Sequence, residues 1–289
     1  MGDLPPESVQ FKIEPSHIPA TNIVAAKSIR VLSTTDAKIL KEIGKRIRRE
    51  AYIWILLEHD HILPLEGVTV AEEFGPLPAL VSPWMEEGSL DDYLKREFSG
   101  MSDPRKRELV AAGISYRALL TDVAIAPFTK DYPLVHGKGI VHGDLTATNV
   151  LVDSSGCLRL ADFGLSMVLA EAGNATFNSC HPGNVRWMPP EALRDGDEDE
   201  DEAKDEKPTK AWDVYSYGCV VLQVFSGNQP YAWITSVLAV MGAMQKGRVP
   251  FKPEGIQSLG VYQQFSPCLN RISADRPTID DIMRDLGLQ

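Results

Sequence analysis

Residues 140–164 read I-V-H-G-D-L-T-A-T-N-V-L-V-D-S-S-G-C-L-R-L-A-D-F-G. Two short apolar runs, Val150–Val152 and Leu158–Ala161, flank Asp153-Ser154-Ser155-Gly156. That cluster is turn chemistry, so the stretch is expected to form a β-hairpin. Polar groups stand at both ends of the hairpin. Asp144 and, five residues on, Asn149 precede it; Asp162 follows thirteen residues later. Phosphoryl transfer asks for groups of this kind: one carboxylate to orient and deprotonate a hydroxyl, and oxygen ligands that hold magnesium on a triphosphate. Asp144 fits the first role; Asn149 and Asp162 fit the second. His142 is read as a core histidine.

The rest of the chain bounds what can surround this run. At 289 residues, with 44 % hydrophobic and 24 % charged residues, it can bury a sizeable core as one large domain or two lobes. The net charge is −11, and residues 194–207 alone hold nine acids against three bases, or −6 of it. The acidity is therefore local, argues against a nucleic-acid partner, and marks an acidic insert at about 194–208 that is expected to be solvated. Cys157, Cys180, Cys219 and Cys268 make neither a C-x-x-C pair nor a zinc spacing. They suggest a reducing compartment, cytoplasm first and nucleus second. No apolar run is long enough for a membrane span. The N-terminus lacks a signal-peptide pattern, and Pro6 stands where a myristoylation signal needs Ser or Thr.

Strands are expected early and helices late, the pattern of two differently built lobes. Residues 1–20 are Pro-rich and irregular. Residues 21–31 read as a β-branched strand, and 62–70 and 78–84 as two more around a loop at Glu72–Pro76. Between them, Leu40, Ile43, Ile47, Ala51 and Trp54 recur at three- and four-residue steps, predicting a helix over 36–57. Glu50 shares the stripe of Ile47 and Trp54, and a carboxylate there needs a partner; Lys27 in V-A-A-K is the obvious one. Leu90–Arg96 starts a helix behind Ser89 as N-cap, and 211–226 reads as a buried helix.

These segments together resemble a eukaryotic protein kinase. The catalytic run matches H-R-D-L-x-x-x-N followed by D-F-G. V-A-A-K matches the strand lysine, and L-V-S-P-W-M-E-E-G-S-L the passage between lobes. R-W-M-P-P-E matches the A-P-E segment, with Asp213 in D-V-Y-S-Y-G and Arg276 in A-D-R-P-T downstream. The similarity covers about 21–289. It is closest to the tyrosine-kinase-like branch and to kinase-like proteins of mushroom-forming fungi. It implies an α+β bilobal protein-kinase-like fold: a small, mostly β N-lobe at about 21–84 and a larger helical C-lobe at about 85–289. It implies ATP and Mg²⁺ as cofactors, with a protein as substrate. By the match, Lys27 and Glu50 hold phosphates, and Ser82 is the gatekeeper. Pro83 offers a carbonyl and Met85 an N–H to adenine, and Leu151 borders the nucleotide. Asp213 ties the catalytic loop, and Arg276 pairs with Glu191.

The chain also departs from the family pattern. The stretch at 8–22 contains no glycine, so a Gly-rich phosphate loop is missing or degenerate. Thr146 and Thr148 stand where a Ser/Thr or Tyr kinase carries a loop cation, and Gly143 replaces the arginine of H-R-D. Asn184 takes the place of a threonine common in Ser/Thr kinases. Gly113 and Pro127 interrupt residues 110–132, where the family has a long helix. Two readings follow: a protein kinase with a Ser/Thr preference, or a pseudokinase that binds or scaffolds with little turnover.

Overall fold

The stripe over residues 36–57 folds as α1 (Ala37–Ile55), with Ile47, Ala51 and Trp54 each at most 3 % exposed. Burying such a face, about 1.5–3 kcal/mol for a large apolar side chain, outweighs the weak propensity of its β-branched residues. The computed structural model describes residues 23–28, 37–55, 57, 59–114, 141–162, 184–193, 208–256 and 259–285. The chain divides into two compact units, Met1–Trp84 and Met85–Gln289.

The first unit holds α1 and an antiparallel sheet in the order β1-β3-β2: β1 (Val24–Lys27), β2 (Gly67–Thr69) and β3 (Ala79–Pro83). Leu80 is the centre of the register, opposite Lys27 on one side and Val68 on the other. Strand β2 is shorter than the 62–70 expected. Ile62 and Leu63 are buried, but the Ile62 N–H closes a turn on the His59 carbonyl and the Leu63 carbonyl accepts the Trp54 indole N–H. Pro64 then cannot donate to a ladder. The Glu72–Pro76 loop contains a short 3₁₀ turn, Glu72–Phe74.

The second unit opens on the hairpin read from the sequence. β4 (Gly88–Ser89), β5 (Val150–Val152) and β6 (Leu158–Leu160) are antiparallel, with Ser89 opposite Leu151 and Val150 opposite Leu160. Val150 and Val152 are fully buried, whereas Leu151 between them is half-buried on the other face, as period-two alternation requires. Helix α2 (Leu90–Glu97) starts as expected: the Ser89 hydroxyl accepts the Asp92 N–H.

Helix α3 (Asp103–Ile114) was not singled out from the sequence. Its inward face is Lys106, Leu109 and Val110, at i, i+3 and i+4. The Lys106 ammonium sits 4.1 Å from the Phe98 ring centroid, so a residue counted as polar serves as core. The interrupted region 110–132 enters the structure only through the end of this helix; 115–140 lie outside the described residues. So do residues 1–22 and the acidic stretch at 194–207.

Helix α4 (Lys210–Ser226) is capped by Thr209 and ends at Gly227, whose φ of 70° is the left-handed cap that glycine takes without strain. It is buried on nearly every side from Trp212 to Ser226. Helices α5 (Val237–Gln245), α6 (Leu259–Phe265) and α7 (Ile279–Asp285) follow. The segment Asn184–Leu193 is pinned among them. Arg186 donates to the carbonyls of Pro230, Tyr231 and Ile234, and the Trp187 indole donates to Gln223.

Arg276 and Glu191 form a bidentate pair, both N···O distances 2.7 Å, with side chains 1 % and 9 % exposed. Arg276 also donates to the Asn270 and Ala211 carbonyls and lies over the Tyr215 ring. Truncating one partner strands the other charge in the core. Arg276→Ala is therefore expected to lower unfolding stability in urea by about 3–5 kcal/mol. A loss under about 1 kcal/mol would show that the pair is dispensable.

Candidate active site

The loop before β5 is held from beneath by one carboxylate. Asp213, in the first turn of α4 and 1 % exposed, accepts the His142 N–H on Oδ2 at 2.7 Å and the Gly143 N–H on Oδ1 at 2.8 Å. Helix α4 can place a carboxylate there because its neighbours fix the turn and Thr209 caps it. Gly143 has a φ of 75°. The arginine that the family pattern carries would be strained there by about 1–2 kcal/mol.

His142 is the core histidine expected, 2 % exposed. Its Nδ1 accepts the Asp144 N–H at 3.2 Å, which makes Nε2 the protonated nitrogen, donating to the Ala161 carbonyl at 3.2 Å. The ring thus joins the start of the loop to the residue before Asp162. A second link joins its end: the Ala161 N–H donates to the Asn149 carbonyl at 2.8 Å. Asp162 has a φ of 65°, one of two non-glycine residues with positive φ among the described residues. Such backbone costs energy and persists only where the surroundings over-determine it.

Asp144 is the centre of this arrangement, 9 % exposed. Asn149 Nδ2 donates to the Asp144 carbonyl at 2.9 Å and to its carboxylate Oδ2 at 3.1 Å. Asn184 Nδ2 lies 2.8 Å from both carboxylate oxygens. This last contact is the one the sequence reading missed. The sequence reading named Asn184 only as standing in place of a threonine of the family pattern, and nothing in the sequence tied it to Asp144. Thr146 and Thr148 turn toward each other, hydroxyl to hydroxyl at 2.7 Å, and the Thr146 hydroxyl also accepts the Asn149 N–H. Thr146 is 1 % exposed, so its side chain braces the loop.

The remaining residues of the expected site are distributed over the two units. In the second unit, Met85 is buried with its carbonyl accepting the Gly88 N–H, and Leu151 lies on β5. In the first, Lys27 closes β1 and is exposed, and Ser82 and Pro83 end β3 with Ser82 buried. Glu50 lies on α1, but its side chain, and so its expected pairing with Lys27, is outside the described residues. Phe163 of the D-F-G is outside them as well. Among the described residues no cluster of three or more His, Cys, Asp or Glu could hold a metal by itself, and no helix is long and apolar enough to cross a membrane.

The family profile for protein tyrosine and serine/threonine kinases matches residues 20–286. The chain is 28 % identical over 263 residues to serine/threonine-protein kinase STY46 of Arabidopsis thaliana, covering 90 % of this chain and 39 % of that protein. It is 32 % identical over 270 residues to ephrin type-A receptor 5 of Rattus norvegicus, covering 91 % of this chain and 23 % of the receptor. A further plant relative, serine/threonine-protein kinase STY17, is 27 % identical over 252 residues. The chain thus belongs to the protein tyrosine and serine/threonine kinase family, and it spans well under half the length of these relatives.

Burial, aided by the charge of Asp144, pushes the Asp213 carboxyl up to about 7, against the two backbone N–H bonds that favour its anion. A carboxyl raised in the folded state binds a proton that the unfolded chain has already released. Its contribution to stability is therefore full below its unfolded value and is lost as pH rises toward 7. Wild-type stability relative to Asp213→Asn should fall between about pH 4 and pH 7 in urea titrations. A difference that is flat across that range would contradict the assignment.

Proposed function

We propose that the chain is a protein kinase that transfers the γ-phosphoryl group of ATP to a protein hydroxyl, with serine and threonine as acceptors. The observation that carries this reading is the Asp144 carboxylate, held in a tied loop with Asn149 bonded to it and with the hairpin returning to Asp162. Asp144 orients the acceptor hydroxyl and takes its proton as the new O–P bond forms. The bond between the γ-phosphorus and its bridging oxygen breaks, and ADP leaves.

The donor set fits magnesium. Both bonds from Asn149 Nδ2 go to Asp144, which turns the Oδ1 carbonyl away from the base. Together with the Asp162 carboxylate it would offer magnesium two hard oxygens, a usual protein share when phosphates and water supply the rest. Bound there, magnesium would neutralise charge on the phosphates. Lys27 with Glu50 would hold the phosphates. The Pro83 carbonyl and Met85 N–H would take adenine beside Ser82, and the half-buried Leu151 would offer it an apolar contact. The acceptor class rests on the plant relatives, which are named serine/threonine-protein kinases. The free cysteines among the described residues agree with a cytoplasmic setting.

One observation favours the second reading, a pseudokinase that binds without turnover. Residues 141–150 contain neither lysine nor arginine, and the Thr146 and Thr148 hydroxyls are spent on each other and on the loop backbone. A cation that would offset transition-state charge is therefore absent from this loop.

Two measurements separate the readings. On the kinase reading, Mg²⁺·ATP raises the melting temperature, and radiolabel from γ-labelled ATP enters protein about 10²–10⁴-fold faster with wild type than with Asp144→Ala. A Mg²⁺·ATP shift with label no higher than the variant would establish the pseudokinase. Neither shift nor label would remove nucleotide chemistry from the account.

A further inference from the structure

We propose that Asn184 is a residue that positions Asp144 for proton abstraction. The inference rests on the kinase reading above and adds a residue to it. Asn184 Nδ2 is equidistant, at 2.8 Å, from both oxygens of the Asp144 carboxylate. Only the NH₂ end of an amide can face a carboxylate this way, because the carbonyl end would set acceptor against acceptor. The contact spans the two oxygens and so fixes the plane of the carboxylate as well as its position. Asn149 reaches only Oδ2, from the loop's own side. Asn184 arrives from a segment forty residues away in the chain and closes the grip from a second direction.

A purely structural staple would need this contact to hold the Asn184–Leu193 segment, and the segment is held without it. Arg186 makes three bonds to the Pro230, Tyr231 and Ile234 carbonyls. Trp187 is bonded through its indole to Gln223 and through its carbonyl to the Ser216 hydroxyl. Glu191 is locked to Arg276. The rigid object is the segment, and the side chain that benefits from it is Asp144. The chemistry of the donor matters too. A lysine or arginine at this distance would put a full positive charge on the carboxylate, whereas an amide orients it and leaves its negative charge to attract the hydroxyl proton.

The test combines a contact measurement with kinetics, using the full chain. In ¹⁵N spectra the Asn184 side-chain NH₂ pair, assigned by its loss in Asn184→Thr, should shift on Asp144→Ala. An unmoved pair overturns the proposal at its first step. In steady-state assays with a degenerate Ser/Thr peptide library as acceptor, Asn184→Ala should lower kcat about tenfold or more, with the KM for ATP and the melting temperature unchanged. Asn184→Asp, isosteric but without a donor and with a like charge against Asp144, should be lower still. Asn184→Thr, which restores one O–H donor, should recover part of the loss; a fold-supporting role would give no such order. If the wild type labels acceptor and Asn184→Ala keeps its kcat, the positioning role fails while the kinase reading stands. If the NH₂ pair responds to Asp144→Ala but the wild type labels nothing above that variant, the kinase reading fails and takes the catalytic role of Asn184 with it.

Discussion

Two backbone N–H groups pointing at one buried carboxylate hold the candidate site together. His142 and Gly143 lie in an irregular loop, and their N–H groups have no strand or helix to pair with. Asp213 accepts both, one on each oxygen. Leaving such groups unpaired in a buried place would cost about 1–3 kcal/mol each, so the loop goes where α4 offers the acceptor. Once His142 is fixed, its imidazole takes the Asp144 N–H on one nitrogen and bonds the Ala161 carbonyl with the other. The base and the residue preceding Asp162 are then set by the same ring.

The departures from the family pattern read differently in this setting. Gly143 is more than a lost arginine, since its left-handed backbone presents its N–H to Asp213. Thr146 is more than a lost cation, since its hydroxyl accepts the Asn149 N–H and meets Thr148. The loop has exchanged charge for internal hydrogen bonds, and it keeps a carboxylate flanked by two amides. Residues 141–150 thus carry no lysine or arginine of their own. Electrostatic stabilisation of a transferring phosphoryl group would fall on magnesium and on residues outside this loop.

Much of this was legible in the sequence because it rests on short-range patterns. The hairpin at 150–160 announced itself by apolar runs around Asp-Ser-Ser-Gly, α2 by its Ser89 cap, and α1 by its stripe of Ile47, Ala51 and Trp54. Asp213 and the Arg276–Glu191 pair were legible only through family resemblance, since residues 70 and 85 positions apart carry no local sign of meeting. What escaped had physical reasons. Helix α3 hid because its buried face includes Lys106, which a hydrophobic pattern scores as surface. Its start was nonetheless marked by Ser102, whose hydroxyl accepts the Arg105 N–H, and by Pro104 in the first turn. The contact of Asn184 with Asp144 hid because a side-chain amide fits a loop, a turn or a site equally well, and only the fold brings the two together.

The central claim is that Asp213 holds the loop that carries Asp144, and hydrogen exchange at two amides tests it most directly. In the wild type, the His142 and Gly143 N–H groups should exchange slowly although they belong to no helix or strand. In Asp213→Asn, which keeps the shape but leaves one N–H without an acceptor, at least one of the two should exchange faster, while amides in the middle of α4 keep their protection. Fast exchange of both amides in the wild type, or unchanged protection in the variant, would contradict the account.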